Sequence, residues 1–548
     1  MTSTTDTSTS HSRVSRGNAS PELLDVDTCL RHAAQQHPHQ LALVDSHQQL
    51  TWAELDQRLN RVANALIGLG LQPNDRIALL GRNSIDYAVL FLGGLRAGIC
   101  ITPLSILAST QALIGMINDS DAKRLFVSPD YWEMIGPYTN ELSTLRDQDL
   151  FYLEQTDSQK NSDQPSSPPQ RKSLCDLINA APDTPVDILV DLDWGFNLIY
   201  SSGTTGLPKG ILQSRRYRAH ERQIIASLGM NENSRALVST PLYSNTTLFM
   251  FLATMGHGGT AYLMEQFSTE QFLTLSEQKR ITHAVLVPVQ YERLLKDPQF
   301  DQTDLSSYLF KCSTSAPLRP PTKQALLDRW PHGGLAEFYG MTEGGVYCTL
   351  LAHERPDKLD TVGQPADDCD LRIIDAQGSV MPQGAKGEIV GYSPRTMDGY
   401  HKRAEATEEA SWYDETGRRF QRSGDIGWLD EENFLHLLDR KKDMIISGGF
   451  NVYAIDLEKV LLSHPDVADA AVIAAPSEQW GETPLAFVVL ASGSMIDAEV
   501  LRQWANSQLG KAQRISRIEF IDELPRSPIG KVLKRELRDG LDPSILSG

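Results

Sequence analysis

No Cys-x-x-Cys pair occurs in this chain, and none of its six cysteines sits in a metal-ligand run with histidine. That pattern argues against a structural zinc site or a disulfide scaffold. Cys29, Cys100, Cys175, Cys312, Cys348 and Cys369 instead read as reduced thiols of a cytoplasmic protein. Long apolar runs are missing too. Residues 1–20 are mostly Ser and Thr with no apolar stretch, which reads as a disordered tail and not as a secretory signal. The longest run in the N-terminal third, Tyr87 to Leu95, is cut by Arg96 and is too short to span a bilayer. Basic charge is scarce: 51 Lys and Arg against 70 Asp and Glu leave a formal net charge of −19. Nucleic acid and anionic lipid both require a basic surface, so neither is an expected partner. No internal repeat is visible.

What remains is a soluble composition, 41% hydrophobic and 22% charged, spread over 548 residues. One compact core rarely holds so long a chain, so two or more domains are expected. Thr51 to Glu54 opens a helical pattern continued by Leu55, Leu59, Val62, Ala63, Leu66 and Leu69, and Gly70 stops it. Arg76–Leu80 reads as a buried strand, Tyr87–Ala97 as an apolar helix and Ile101–Leu104 as a further extended segment. This alternation predicts an α/β fold. Asp163–Lys172 is polar and Pro-rich and reads as an exposed loop within that domain. A run of charges at 439–443 follows a strand-like Phe434–Leu438. Beyond it, Asp466–Ala475 and Leu485–Ala491 look like strands and Asp497–Leu509 like a helix. We therefore expect a large N-terminal α/β domain at 21–439, a small mobile C-terminal α+β domain at 440–548 and a hinge near 439–443.

Five segments carry chemistry. Tyr200-Ser201-Ser202-Gly203-Thr204-Thr205-Gly206-Leu207-Pro208-Lys209-Gly210 follows the strand-like Phe196–Ile199. Glycines let backbone close around an anion, hydroxyls donate, and Lys209 adds charge, which together suit a phosphate cradle. It is not a Walker motif, since Leu-Pro separates Gly206 from Lys209 and no hydroxyl follows the lysine. Composition alone equally allows a polar turn. In Glu337-Phe338-Tyr339-Gly340-Met341-Thr342-Glu343-Gly344, a carboxylate beside a hydroxyl can support Mg²⁺ near a triphosphate, or be a solvated strand end. Ser423-Gly424-Asp425-Ile426-Gly427 offers an Asp able to accept from two ribose hydroxyls, though Asp in such turns is common for local reasons. Asp439 to Asn451 pairs a charge run with Gly448-Gly449, where backbone can approach another body. Pro525 to Lys531 is a rigid loop presenting one lysine.

In this order and spacing the five segments resemble the superfamily of adenylate-forming enzymes, which includes acyl- and aryl-CoA synthetases, firefly-type luciferases and peptide-synthetase adenylation domains. The resemblance runs from Thr51 to Lys534 and takes in Val362-Gly363-Gln364-Pro365, Gly387-Glu388-Ile389 and Gly481-Glu482-Thr483-Pro484. It implies an AMP-forming acid–CoA ligase using ATP, Mg²⁺ and coenzyme A, with an enzyme loading a separate carrier protein as the alternative. Ser201, Ser202, Gly203, Thr204, Thr205, Gly206 and Lys209 would bind the β- and γ-phosphates. Ser315, Ala316, Pro317, Tyr339 and Gly340 would form the adenine pocket, and Asp425 and Arg440 would hold the ribose. Thr342 and Glu343 would act at the phosphates, with Thr204 and Glu343 at the metal. Lys442 falls at the hinge position, Gly448 and Gly449 would line the thiol's approach, and Lys531 would serve the adenylation step alone.

Two departures from the family's pattern stand out. Relatives carry an aromatic-His pair where Pro241-Leu242-Tyr243 is followed here by Ser244-Asn245, so that histidine is missing. Thr314 and Ser315 stand where very small residues are usual and would narrow the acyl pocket. Ser423 replaces the commoner Thr. The expected acid-binding wall comprises Tyr243, Ser244, Asn245, Val287, Thr314, Met341 and Val346. Its segments hold no evident cation, which favours a monocarboxylic acid with an apolar body: aryl, arylpropenoic or medium-chain. The partners expected are that small-molecule acid, ATP and CoA, with a homodimer as an allowed assembly.

Overall fold

The computed structural model describes residues 23–154, 171–201, 208–447, 450–477, 480–510, 513–526 and 532–540. The expected tail at 1–20 and most of the Pro-rich segment, 163–170, lie outside them.

Local sequence sets the first elements. Thr51 caps the helix Trp52–Gly68: its hydroxyl accepts from the Glu54 N–H while the Glu54 carboxylate accepts from the Thr51 N–H at 2.8 Å. Leu55, Leu59, Val62, Ala63 and Leu66 form the buried face of that helix. It crosses the helix Ile85–Arg96, where a Cβ on Gly93 would fall 2.5 Å from the Val62 side chain, so glycine is what permits the approach. Every residue from Ile85 to Arg96 other than Asp86 is buried. The apolar run is thus a core helix, with Arg96 paired to Asp27 at 2.8 Å and to Asp56 at 2.7 Å. Among the described residues no helix is long and apolar enough to cross a membrane.

Two large sheets organise the N-terminal part. The nine-stranded one has a parallel run of Phe310–Ser313, His283–Leu286, Arg235–Val238, Thr260–Leu263 and Leu41–Val44, joined on one side by Gly334–Gly340. Antiparallel strands close its two edges. The seven-stranded one runs from Gly399–Tyr400 through Gly210–Ser214 and Gly195–Tyr200 to the parallel strands Cys100–Leu104, Arg76–Leu80, Ala122–Val127 and Leu150–Tyr152. A third, antiparallel sheet is built around the long strand Arg419–Leu429, which pairs with Gly387–Tyr392 and Leu435–Arg440.

After Arg440 the chain turns at 441–443 and enters a separate five-stranded sheet through Ile445–Ser447. Its main hairpin is Val467–Ser477 with Gly481–Leu490, and the helices Ala454–Leu462 and Ala498–Ser507 contribute to its core. The strand expected from Leu485 begins four residues earlier, because Gly481 to Pro484 continue the pairing against Ser477 to Ala474.

Candidate active site

The expected site residues leave the sheets where the strands end. Ser201 follows Gly195–Tyr200, Val287 follows His283–Leu286, Thr314 follows Phe310–Ser313, and Met341 follows Gly334–Gly340. Tyr243 lies five residues beyond Arg235–Val238. Three of these strands are mutually parallel in one sheet, so their carboxyl ends open on one edge. That edge is where ligands bind in open α/β sheets.

The residues expected at the phosphates join three elements. Tyr400 pairs in register with Ile211, just past Lys209. Its hydroxyl donates to Glu343 Oε1 at 2.8 Å, and the Lys209 ammonium lies 5.0 Å from its ring centroid. Burial first, then the Glu343 carboxylate, raises the Tyr400 phenol above its ordinary range, so it stays a donor. Sequence reasoning missed Tyr400, whose only local signal is an aromatic after glycine in a polar stretch. The Glu343 segment is held tightly. Gly344 has φ +75°, and a Cβ there would sit 1.9 Å from the Arg395 carbonyl oxygen. The Gly345 N–H donates to that same oxygen at 2.8 Å, and the Met397 N–H donates to the Glu343 carbonyl at 2.8 Å. Among the described residues no group of three or more His, Cys, Asp or Glu could form a metal cage. One carboxylate beside substrate phosphates is a sufficient protein contribution for Mg²⁺, and Glu343 fits that role.

The residues expected at the nucleoside form a second constellation. Asp425 lies opposite Arg440 across paired strands, and Arg440 Nε is 3.1 Å from Asp425 Oδ1. Tyr339 donates to Asp425 Oδ2 at 2.7 Å, and burial with this carboxylate holds its phenol well above the ordinary value. Ser423 donates to the Ile389 carbonyl at 2.8 Å and accepts from the Asp425 N–H at 3.0 Å. Gly340 is exposed at the end of its strand.

The loop 314–317 is pinned at both ends. Ser315 adopts φ +77°, unusual without glycine, and its hydroxyl meets that of Thr246. Beyond Ala316 and Pro317, the Leu318 N–H donates to Glu337 Oε1 at 2.7 Å. Glu337 is buried against Lys323, which also donates to the carbonyls of Leu359 at 2.8 Å and Thr361 at 2.9 Å. The two carboxylates of the Glu337–Gly344 motif thus divide: Glu337 is a buried structural partner, whereas Glu343 is half-buried beside Tyr400 and Lys209.

The residues of the expected acid wall differ in burial. Tyr243 is buried behind a turn whose Leu242 N–H donates to Asn83 at 2.7 Å. Ser244 precedes the helix Asn245–Gly256. Ser244, Asn245, Thr314 and Met341 are half-buried, and Val287 is buried. Val346 is wholly buried in a cluster with Cys348, Val362, Ile373, Ile389 and Leu435. Lys442 is exposed in the turn between the third sheet and the C-terminal one. Ser202, Gly203, Thr204, Thr205, Gly206, Gly448, Gly449 and Lys531 lie outside the described residues.

Comparison with known proteins agrees along the chain. The family of AMP-binding enzymes matches residues 30–401, and the AMP-binding enzyme C-terminal domain matches 456–531. A feruloyl-CoA synthase of Amycolatopsis sp is 34% identical over 514 residues, covering 92% of this chain and 96% of the relative. The fatty acid–[acyl-carrier-protein] ligase ScoC of Streptomyces coeruleorubidus is 30% identical, covering 95% and 97%. Among solved structures, ATP-bound MatB from Rhodopseudomonas palustris superposes with a TM-score of 0.83 at 28% identity, covering 94% of this chain and 99% of that one.

Proposed function

Because the chain belongs to the family of AMP-binding enzymes, we propose that it is an AMP-forming carboxylic acid–CoA ligase whose acid is a monocarboxylate of the arylpropenoic type. The observation that carries this reading is that two constellations from different sheets meet at the end of the strand Gly334–Gly340: Glu343, Tyr400 and Lys209 on the phosphate side, and Tyr339, Asp425 and Arg440 on the nucleoside side. The acid class rests on the absence of an evident cation from the expected wall segments and on the feruloyl-CoA synthase relative. The carrier-protein ligase, at lower identity, supports the second reading, in which the acceptor is a separate carrier.

In the first half-reaction an acid oxygen attacks the α-phosphorus of ATP, a new C–O–P linkage forms, and the bond to pyrophosphate breaks. Two anions must meet, and cationic groups offset that repulsion. Lys209 supplies one charge, and Mg²⁺ held at Glu343 would supply more. In the second, the CoA thiol attacks the acyl carbon and AMP leaves. Rotation about 439–443 would withdraw Lys531 and present Gly449 between the two steps. Purified protein with ATP, Mg²⁺, CoA and an acid panel, read by mass spectrometry, should yield acyl-CoA. Lys531→Ala should lose acid-dependent pyrophosphate exchange by on the order of 10²-fold yet still convert supplied acyl-adenylate to thioester. Gly449→Leu should do the reverse. Equal loss of both steps in both folded variants defeats the two-conformation reading.

A further inference from the structure

Behind Thr342 lies a chain of amides that the motifs do not announce. Arg218 is buried on the helix Arg215–Ile225 and pairs with Glu221 at 2.6 Å. Its Nη2 reaches three amide oxygens: Asn197 Oδ1 at 3.0 Å, Gln213 Oε1 at 2.6 Å and Asn245 Oδ1 at 2.8 Å. A guanidinium only donates, so each of these amides must turn its oxygen inward. The remaining bonds obey that polarity. Asn197 Nδ2 donates to Gln213 Oε1 at 2.9 Å, and Gln213 Nε2 donates to the Thr342 carbonyl at 2.7 Å. Gln213 Nε2 also lies 3.4 Å from Asn245 Oδ1.

Asn245 closes the chain on the accessible side. It is half-buried, its oxygen is occupied, and no acceptor among the described residues meets its Nδ2. Its neighbour Thr246 touches Ser315 of the loop 314–317, and Gln213 ties it to Thr342. Asn245 therefore sits between the Thr342 segment and that loop. An oriented N–H at that junction suits an anionic oxygen, and no histidine is present there to provide one.

We infer that the side-chain amide of Asn245, locked donor-outward by Arg218, donates a hydrogen bond to the carboxyl oxygen of the acid being activated. Arg218 and Gln213 are positioning residues in this arrangement. The inference rests on the ligase reading above.

The test uses pyrophosphate release by the full chain with ATP, Mg²⁺ and ferulic, cinnamic, benzoic or octanoic acid. Asn245→Asp keeps an acceptor for Arg218 and replaces the outward donor with a like charge. Asn245→Ala removes the donor together with the oxygen that accepts from Arg218, which keeps Asn197 and Gln213 as acceptors. The KM for the acid should rise about 10-fold in Asn245→Ala and about 100-fold in Asn245→Asp, as for a lost charge-assisted bond. The KM for ATP should stay within about twofold, with melting temperatures near the parent's, and the penalty should be equal across every acid the wild type accepts. An unchanged acid KM in Asn245→Asp overturns the inference. So does a penalty confined to ring-hydroxylated acids, which would place the donor at the acyl tail. Failure of the wild type with every acid defeats the ligase reading itself, and this inference with it.

Discussion

The Glu343 segment and the C-terminal sheet are attached to the rest of the molecule in opposite ways. The first is built in: Gly344 packs where no Cβ fits, its neighbours bond backbone to backbone, and buried amides brace Thr342 from behind. The second is tied largely by charged side chains near the surface. Arg319 reaches Asp469 at 2.7 Å, and Lys441 reaches Glu388 at 3.0 Å. Near the turn, the Ala454 N–H donates to the Asp439 carboxylate at 2.7 Å and the Lys441 N–H to the Gly424 carbonyl at 2.8 Å. Steric and buried contacts are costly to rearrange, whereas exposed ion pairs contribute about 0–1 kcal/mol each. The segment proposed to hold phosphates is therefore fixed by buried contacts, and the sheet proposed to turn is held largely by charged side chains near the surface.

That contrast can be broken at its strong end first. Gly344→Ala forces a side chain onto the Arg395 carbonyl and should displace Glu343. Adenylate formation should fall by about 10²-fold, as for a misplacement of about 1 Å, with a lower melting temperature. Wild-type kinetics in that variant would dissolve the distinction. Tyr400→Phe is milder. It removes one bond to the Glu343 carboxylate and should slow adenylate formation about 10-fold at unchanged melting temperature, most visibly at limiting Mg²⁺. Rescue by excess Mg²⁺ would sharpen the assignment of Glu343. Asp469→Asn should have the smallest effect. It weakens the ties to Arg319 and Arg526, so stability should change by about 1 kcal/mol or less, and less still at high salt. A large loss there would mean that the C-terminal part is not lightly held.

Features legible in the sequence are those determined by neighbours along the chain. Thr51 and Glu54 are three residues apart and cap their helix together, and the strand before Ser201 shows as a short apolar run. Asp425 and Arg440 were recognisable only through family motifs, although their pairing is set by strand register. What stayed hidden depends on distant partners. Glu343 and Tyr400 are 57 residues apart, and Asn197, Gln213, Arg218 and Asn245 come from different elements. Glu337 and Glu343 share one motif, and only full burial beside Lys323 tells the structural carboxylate from the half-buried one.

Asp469 has a consequence for how the two parts separate. One of its oxygens meets Arg319, which belongs to the N-terminal part, and the other meets Arg526 at 2.5 Å, which travels with it. If the C-terminal sheet swings away as proposed, Arg319 would be released to solvent while the carboxylate keeps a companion of its own. No charge is stranded at either face. The proposed opening and reclosing would then cost the Asp469 carboxylate little, whichever side of the motion it is on.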